Sequence, residues 1–166
     1  MIEVKITQEM LKSACEKAFD MGKIKNSITN GEGNIAGFLG EEVVKQLLDC
    51  EIKNTKDYDL FCNGLKYDVK TKRCKSEPKP FYECSIAAYN TKQRCDRYIF
   101  VRILFHSDIP VKAWVLGWMN KKEYFKKAHK LNKGDVDESN GFVVKADCYN
   151  LPIEDLNEIH SLTCSL

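Results

Sequence analysis

The sequence predicts an α/β chain of the α+β type, with a central mixed β-sheet flanked by helices. Segments with helical and with strand periodicity alternate along the chain, but without the strict βαβ rhythm of an all-parallel sheet. An Asn-Gly pair between two runs of alternating apolar and polar residues predicts an antiparallel hairpin in that sheet. The 166 residues fit one domain, in which folding buries roughly 70% of the unfolded surface. We therefore expect residues 1–166 to form a single domain.

The spacing of apolar side chains predicts the elements of the N-terminal half. In chain order, they are a strand at 2–6, a helix near 8–21, a helix at about 35–49, a hairpin at about 57–72 and a strand near 81–88. Thr7 can cap the first helix and Gly22 can end it, and Asn34 can cap the second helix. A polar, glycine-bearing segment at 26–33 separates the two helices. The buried face of the second helix is predicted from its apolar stripe, which consists of Ile35, Leu39, Val43 and Leu47.

Shorter elements and two long strands are predicted in the C-terminal half. In chain order, they are a turn or short helix at 90–95, a strand at 97–105, a strand at 112–118, a helix from 120 to about 130, a strand near 142–148 and a short closing helix opened by Pro152. Asn120 and Glu123 resemble a capping box at the start of the helix. Trp114 and Trp118 lie four residues apart on a predicted strand, so we expect them on one face, packed in the core.

The composition is ordinary for a globular protein, with 43% hydrophobic and 30% charged residues. No apolar run approaches the roughly 18 residues of a membrane-spanning helix. Residues 1–6 have neither the basic nor the apolar region of a signal peptide. We therefore expect a cytoplasmic protein in a reducing compartment, with no membrane partner.

Several familiar site patterns do not occur in the sequence. The eight cysteines lack the short spacing of zinc sites, so we expect reduced structural thiols. His106, His129 and His160 show no metal-ligand spacing either. The glycines from Gly31 to Gly40 lack the Gly-Lys-Ser/Thr ending of a nucleotide P-loop. Zinc and P-loop chemistry are therefore not predicted.

The hairpin holds the most informative residues, because its turn places two aspartates opposite each other. If Asn63-Gly64 is a two-residue turn, cross-strand partners have numbers that sum to 127, and Asp59 faces Asp68. Opposed side chains lie about 4.5–5.5 Å apart at Cβ, and like charges placed so are destabilising. Lys70 projects from the same face as Asp68. A divalent cation would remove this repulsion, because hard cations bind carboxylate oxygens.

An ordinary amphipathic hairpin is the alternative, with its apolar side chains buried and its charged face in water. That interpretation explains the alternation but not the opposed aspartates. The basic residues around the hairpin favour a site instead, because a cluster of cations beside carboxylates is what phosphate binding requires. This cluster consists of Lys66, Lys70, Lys72, Arg73, Lys75 and Lys79.

A further carboxylate is available on the second helix, where Glu41 and Glu42 both lie off the apolar stripe, and a helical wheel does not choose between them. In one pattern of the sequence, a glutamate-bearing helix is followed by Asp59 and, after eight further residues, by Asp68-Val69-Lys70. This pattern resembles the PD-(D/E)XK nuclease superfamily. Residues 37–44 resemble the Gly-x-x-Gly-Glu entry of its Holliday-junction-resolvase-like members, which favours Glu41. The sequence departs from the family at Tyr58, where a proline is frequent.

The resemblance implies a restriction-endonuclease-like core at about 35–105 and an accessory region at about 112–166. It implies that Mg²⁺, for which Mn²⁺ can substitute, is held by Asp59, Asp68, Glu41 and the Val69 carbonyl. Glu41, Asp59, Asp68 and Lys70 would be catalytic, with Lys70 acting on the attacking water. Gln93 is an additional candidate. The residues expected to bind nucleic acid are Lys66, Lys72, Arg73 and Lys75.

The expected function is that of a Mg²⁺-dependent DNA endonuclease. Because no separate recognition domain is predicted, structure-selective or nonspecific cleavage is expected rather than sequence-specific cleavage. The size suits a compact phage or mobile-element nuclease, and symmetric cleavage of both strands would require a homodimer. The alternative is a nucleic-acid-binding or host-interaction module that keeps the fold without turnover.

Overall fold

A computed structural model describes residues 1–21, 34–53, 55–137 and 141–163. The helices are α1 (Gln8–Met21), α2 (Asn34–Leu48), α3 (Lys121–Lys127) and α4 (His160–Thr163), with short 3₁₀ helices at Ala88–Lys92 and Ile153–Asp155. The strands are β1 (Ile2–Lys5), β2 (Glu51–Ile52), β3 (Leu60–Cys62), β4 (Leu65–Cys74), β5 (Glu83–Ala87), β6 (Arg97–His106), β7 (Ile109–Asn120), β8 (His129–Leu131), β9 (Val136–Asp137), β10 (Phe142–Val143) and β11 (Cys148–Pro152).

The main sheet has six strands in the order β1-β7-β6-β4-β3-β2. Its central strands β4 and β6 are parallel, whereas the other neighbouring pairs are antiparallel. The predicted α+β class with a central mixed sheet is therefore confirmed. Two smaller sheets complete the described part, one with the order β5-β11-β8 and one formed by β9 and β10.

Helices α1 and α2 cover one face of the main sheet. Apolar side chains of α2 pack there against alternate residues of β4 and β6, including Tyr67 and Val69. Thr7 caps α1 as predicted, because its Oγ1 accepts a hydrogen bond of 3.2 Å from the Met10 amide. The proposed stop at Gly22 and the polar segment at 26–33 lie outside the described residues. In the described part of the chain, no helix is long and apolar enough to cross a membrane.

The other face is covered mainly by the β5-β11-β8 sheet and α3, so helices flank the main sheet chiefly on one side. Tyr98, Phe100 and Trp114 form a second apolar core there, together with Tyr124 of α3. The Tyr124 hydroxyl lies 2.8 Å from the Cys84 carbonyl and 2.7 Å from that of Tyr149. These hydrogen bonds connect α3 to β5 and β11. A second layer of strands was not predicted.

Two predicted boundaries are wrong because β8 and β11 pair with each other. The helix predicted to reach residue 130 ends at Lys127, and His129–Leu131 forms β8. The strand predicted near 142–148 is replaced by the short β10 and by β11, which begins at Cys148. Asn120 precedes α3 without a capping hydrogen bond from its side chain. Its Oδ1 instead accepts a 3.3 Å hydrogen bond from Arg97.

The two tryptophans lie on opposite faces of β7, contrary to prediction. The ladder pairs Phe100 with Gly117 but Val101 with Val115, so the intervening Leu116 is an extra residue in β7. Such a bulge shifts the alternation of side chains by one residue. Trp114 therefore packs in the core beneath α3, and Trp118 packs against the core beneath α1 and α2.

The hairpin has the predicted register, with Leu60 opposite Tyr67 and Cys62 opposite Leu65. Asn63 and Gly64 both have positive φ, at 49° and 77°. Two such residues form the turn whose twist matches that of the flanking strands. The hairpin prediction is confirmed.

We expect Gly64→Ala to lower the free energy of unfolding by about 1–2 kcal/mol, because a Cβ is strained at this positive φ. Gly37→Ala is the control, since an added Cβ meets no atom within 4 Å there. In the interior of α2, that change should be neutral or stabilising by up to about 1 kcal/mol. Urea unfolding of both variants measures the difference, and equal effects would contradict the turn geometry.

Candidate active site

Asp59 and Asp68 lie side by side at the open end of the β3-β4 hairpin. The Asp59 amide donates to the Tyr67 carbonyl at 2.9 Å, which extends the ladder beyond β3. Asp59 Oδ2 accepts a 2.7 Å hydrogen bond from the Val69 amide. The Asp68 side chain is only 2% exposed. Asp68 is therefore not in water, where an ordinary amphipathic hairpin would place it, although Lys72 on the same face is exposed.

Lys70 and Gln93 complete a ring of polar contacts around Asp68. Lys70 Nζ lies 2.5 Å from Asp68 Oδ2. Gln93 directly follows the 3₁₀ helix at Ala88–Lys92, and its Nε2 donates to Asp68 Oδ1 at 3.0 Å. Its Oε1 accepts a 3.3 Å hydrogen bond from Lys70. Lys121 donates to the Gln93 carbonyl and so helps to hold this residue. Each polar end of Gln93 thus positions one member of the Asp68–Lys70 pair.

Simultaneous ionisation of Asp59 and Asp68 is unfavourable in free energy. Burial and, after it, the negative charge of Asp68 together raise the pKa of Asp59 to about 7. Burial also raises the pKa of Asp68, although Lys70 opposes this shift. Without a further cation, the pair therefore favours retaining a proton near neutral pH. A group of charges that resists ionisation in this way is a feature of functional sites.

Glu41, and not Glu42, faces the aspartates. Glu42 accepts 2.6 Å hydrogen bonds from Ser13 and Lys17, and these lower its pKa although burial opposes the change. Glu41 is 7% exposed, and its Oε2 has no hydrogen-bond partner among the described residues. Burial raises the pKa of Glu41 to about 8, with Asp59 as the largest charge contribution in the same direction. Of the two glutamates, Glu41 is therefore the one influenced by the charges of both aspartates, whereas Glu42 is held by Ser13 and Lys17.

Gly40 lets α2 approach β4 closely enough to bring Glu41 toward the hairpin. A Cβ at this position would lie 1.9 Å from Thr71 Oγ1 and 3.0 Å from Thr71 Cβ, far inside contact distance. Only a glycine fits between the helix and this strand. The Gly40-Glu41 order in the sequence thus has a steric explanation. Gly40 allows α2 to pack closely on β4, and this position of the helix brings Glu41 toward the hairpin.

The predicted nucleic-acid-binding residues are divided between two faces. Lys72 shares the face of Asp68 and Lys70, and its Nζ donates to Ser85 Oγ at 2.7 Å. Lys66 lies over the Tyr58 ring, 5.4 Å from its centroid, near the hairpin turn.

Arg73 points to the opposite side of β4, where it pairs with Asp108 at 2.5 Å and packs on Phe105. Lys75 is exposed in the loop after β4. The structure therefore does not bring Arg73 to the face of the aspartates.

Carboxylates are the donors that this site offers to a metal ion. Within the described ranges, no three His, Cys, Asp or Glu side chains are arranged as ligands of one metal. Mg²⁺ usually binds through one or two carboxylates and retains several waters. The Asp59–Asp68 pair fits such an ion as two direct ligands, whereas Glu41 is not arranged with them as a third. Val69 contributes its amide to Asp59, which fixes that carboxylate.

A cavity beside Lys70 was not found from the sequence. Its lining comes from segments far apart in the chain, among them Glu83, Ser85, Arg102 and Lys145. The alternation of Glu83 and Ser85 on the predicted strand near 81–88 was the available signal, because it places both side chains on one face.

No known protein-family model matches this chain, and no curated protein matches it either. Function must therefore be inferred from the site itself.

We expect Gly40→Ala to destabilise the fold by about 1–3 kcal/mol through overpacking. Thr71→Ala alone should cost little, because Thr71 Oγ1 is buried without a hydrogen bond in the described part of the chain. Combined with Gly40→Ala, it removes the closest clashing atom, so the double variant should recover part of the loss. A double-mutant cycle in urea measures this coupling. Strictly additive effects would contradict the close approach of α2 to β4.

The metal-free protein should become more stable as the pH falls from about 8 toward 5. The raised pKa values of Asp59 and Glu41, about 7 and about 8, mean that the folded state holds protons more tightly than the unfolded chain. This contribution is full below the unfolded pKa values and is lost as the pH rises through the folded ones. Melts in EDTA across this range measure the slope.

Asp59→Asn should flatten that slope, because it removes one of the titrating groups. At pH 8 the variant should equal the parent or exceed it by up to about 1 kcal/mol, since the amide oxygen can still accept the Val69 hydrogen bond. Asp20→Asn, at an exposed position of α1, is the control and should keep the parental slope. An unchanged slope in Asp59→Asn would mean that the aspartate pair does not resist ionisation.

Proposed function

We propose that this protein is a Mg²⁺-dependent DNA endonuclease with a restriction-endonuclease-like core. The observation that carries the proposal is the Asp59–Asp68 pair, in which Asp68 is buried and Asp59 is half-buried, with Lys70 held against it. Two neighbouring carboxylates with raised pKa values lower the stability of the fold, and a bound cation would offset that cost. The order Asp, Asp-x-Lys on a hairpin, after a helix that carries Glu41, also agrees with the resemblance to PD-(D/E)XK nucleases.

Asp59 and Asp68 would hold the ion directly and Glu41 would reach it through a water, with the Val69 carbonyl as the ligand implied by the resemblance. When bound, Mg²⁺ or Mn²⁺ polarises a scissile phosphate and lowers the pKa of a coordinated water. The Val69 amide keeps the Asp59 carboxylate turned toward Asp68. Gln93 fixes the other side of Asp68, so both carboxylates are oriented before any ligand arrives.

Lys70 supplies the cation nearest to the reacting phosphate in this proposal. Its ammonium group would orient the attacking water and stabilise the negative charge that grows on the phosphate oxygens. As the bond from water to phosphorus forms, the bond to the bridging oxygen breaks. Gln93 is a positioning residue here, because it acts through Lys70 and Asp68.

Lys66 and Lys72 would bind flanking phosphates of the DNA. Arg73 contributes less, since it lies on the opposite side of β4 in an ion pair with Asp108. Cleavage of both strands by one site would require two copies of the chain, and a homodimer is the simplest arrangement.

Lys70→Ala should bind DNA with near-parental affinity but lose cleavage by about 10²-fold to 10⁴-fold, the usual contribution of one such group. Lys12→Ala, on the exposed surface of α1, is the control. Cleavage of duplex, single-stranded and four-way-junction DNA with Mg²⁺, Mn²⁺ or EDTA measures both activity and substrate class. Parental cleavage by Lys70→Ala, or cleavage in EDTA, would overturn the proposal. Binding without cleavage of any substrate would favour a non-catalytic module.

Lys72→Ala and Arg73→Ala form a matched pair for DNA binding, because they are neighbours on opposite faces of β4. Lys72→Ala should weaken binding and reduce its salt dependence. Arg73→Ala should change both much less. Equal losses in the two variants would mean that DNA does not bind on the face of the aspartates.

A further inference from the structure

A cavity of about 810 Å³ opens directly beside the proposed reaction centre. Lys70 and Lys72 of β4 form part of its wall, and β5 with the segment around Phe142 forms the opposite part. The size is that of a small-molecule pocket and is ample for one nucleotide. Lys70 belongs both to the proposed reaction centre and to the lining of the cavity. A phosphate bound at the aspartates would therefore have its attached nucleoside next to the cavity.

The cavity wall contains buried polar groups without a protein partner. Glu83 is 9% exposed, and its Oε2 makes no hydrogen bond among the described residues. The Nε of Arg102 is likewise buried without a hydrogen-bond partner. Both residues line the cavity. Buried groups of this kind cost free energy unless a ligand satisfies them, and Glu83 offers an acceptor for an N–H donor.

The mouth of the cavity carries aromatic side chains. Phe81, Tyr82 and Tyr89 line it, and Tyr89 is 65% exposed. Exposed rings beside a cationic surface are suitable platforms for stacking nucleobases, because every base has a π face.

The lining of the cavity is cationic on balance, because Lys70, Lys72, Arg102 and Lys145 outnumber Glu83 and Asp137. Lys72 and Arg102 both donate to the carbonyl oxygen of Glu83, at 3.3 Å and 3.0 Å. Burial of the ammonium group and the nearby Arg102 charge lower the pKa of Lys72. The rest of the Lys72 side chain is exposed to solvent. Two cations held together in this way favour a ligand that brings a negative charge.

We propose that this cavity binds a single unstacked nucleotide, with its base against the aromatic mouth and Glu83 and its phosphate near Lys70 and Lys72. The inference rests on the proposed nuclease function and deepens it, because the nucleotide would be extruded from the DNA strand that is cut. Enzymes that do chemistry on a base take it out of the duplex stack into a pocket, so extrusion of a single nucleotide into a protein cavity has precedent. A free nucleotide has the same chemistry, and the experiment separates the two sources.

Duplex DNA with a central 2-aminopurine tests extrusion, because this base becomes more fluorescent when it leaves the stack. The parent protein in EDTA binds without cutting, so the signal does not depend on catalysis. We expect a several-fold rise in fluorescence with the parent and most of that rise lost in Tyr89→Ala and in Glu83→Gln. Phe19→Ala, at an exposed aromatic residue of α1, is the control and should keep the full rise. Thermal melts verify that each variant is folded.

Free deoxynucleoside monophosphates, titrated calorimetrically into the same four proteins, provide the second arm. Binding of the free nucleotide that is lost in Tyr89→Ala and Glu83→Gln, without a fluorescence rise on DNA, would support the pocket and assign it to free nucleotides. The absence of both signals, or signals that both variants retain, would overturn the inference. A fluorescence rise in a protein that never cleaves DNA would refute the nuclease proposal and leave the pocket standing.

Discussion

The close approach of two carboxylates, one buried and one half-buried, is the constraint on which the arrangement of this site depends. The strand register of the hairpin places Asp59 and Asp68 next to each other. The surrounding groups then compensate part of the resulting negative charge. Lys70 supplies a countercharge, Gln93 donates to one oxygen, and the Val69 amide donates to another. Even so, both carboxylates keep raised pKa values. The partial compensation leaves the site receptive to a further cation.

Strand β4 distributes its side chains between structure and chemistry. The odd-numbered residues Tyr67 and Val69 belong to the core beneath α1 and α2. Asp68, Lys70 and Lys72 alternate with them and face the site and the cavity. Because β4 lies between β3 and β6 in the middle of the main sheet, these polar side chains are mounted on a well-supported backbone. Such support limits the freedom of the groups that would act on a substrate.

Local chemistry explains what the sequence could predict. The register of Asp59 and Asp68 follows from Asn63-Gly64 alone, so it could be derived without tertiary information. The helical wheel left Glu41 and Glu42 open and only the resemblance favoured Glu41, because the position of the helix depends on the contact between Gly40 and Thr71, which lie far apart in the chain.

Non-local pairing explains what the sequence could not predict. The sheet of β5, β11 and β8 consists of short strands that meet only in the folded state, and its boundaries were accordingly missed. The bulge at Leu116 reversed the expected side of Trp118, since alternation holds only in an unbroken ladder. The cavity could not be predicted from the sequence either, because both of its walls depend on strands that pair although they lie far apart in the chain.

The carbonyl oxygen of Glu83 lies where the β5-β11-β8 sheet meets the main sheet, and it accepts hydrogen bonds from Lys72 and Arg102. Among the described residues, hydrogen bonds from the main sheet to β5 come from the side chains of Lys72 and Arg102, not from a backbone ladder. A backbone ladder instead joins β4 to β6, and the outer strands are packed on the main sheet through a shared apolar core. The two sides of the cavity therefore have different supports. Lys70 and Lys72 stand on a strand held by backbone hydrogen bonds, whereas the wall formed by β5 is held to that strand by side chains.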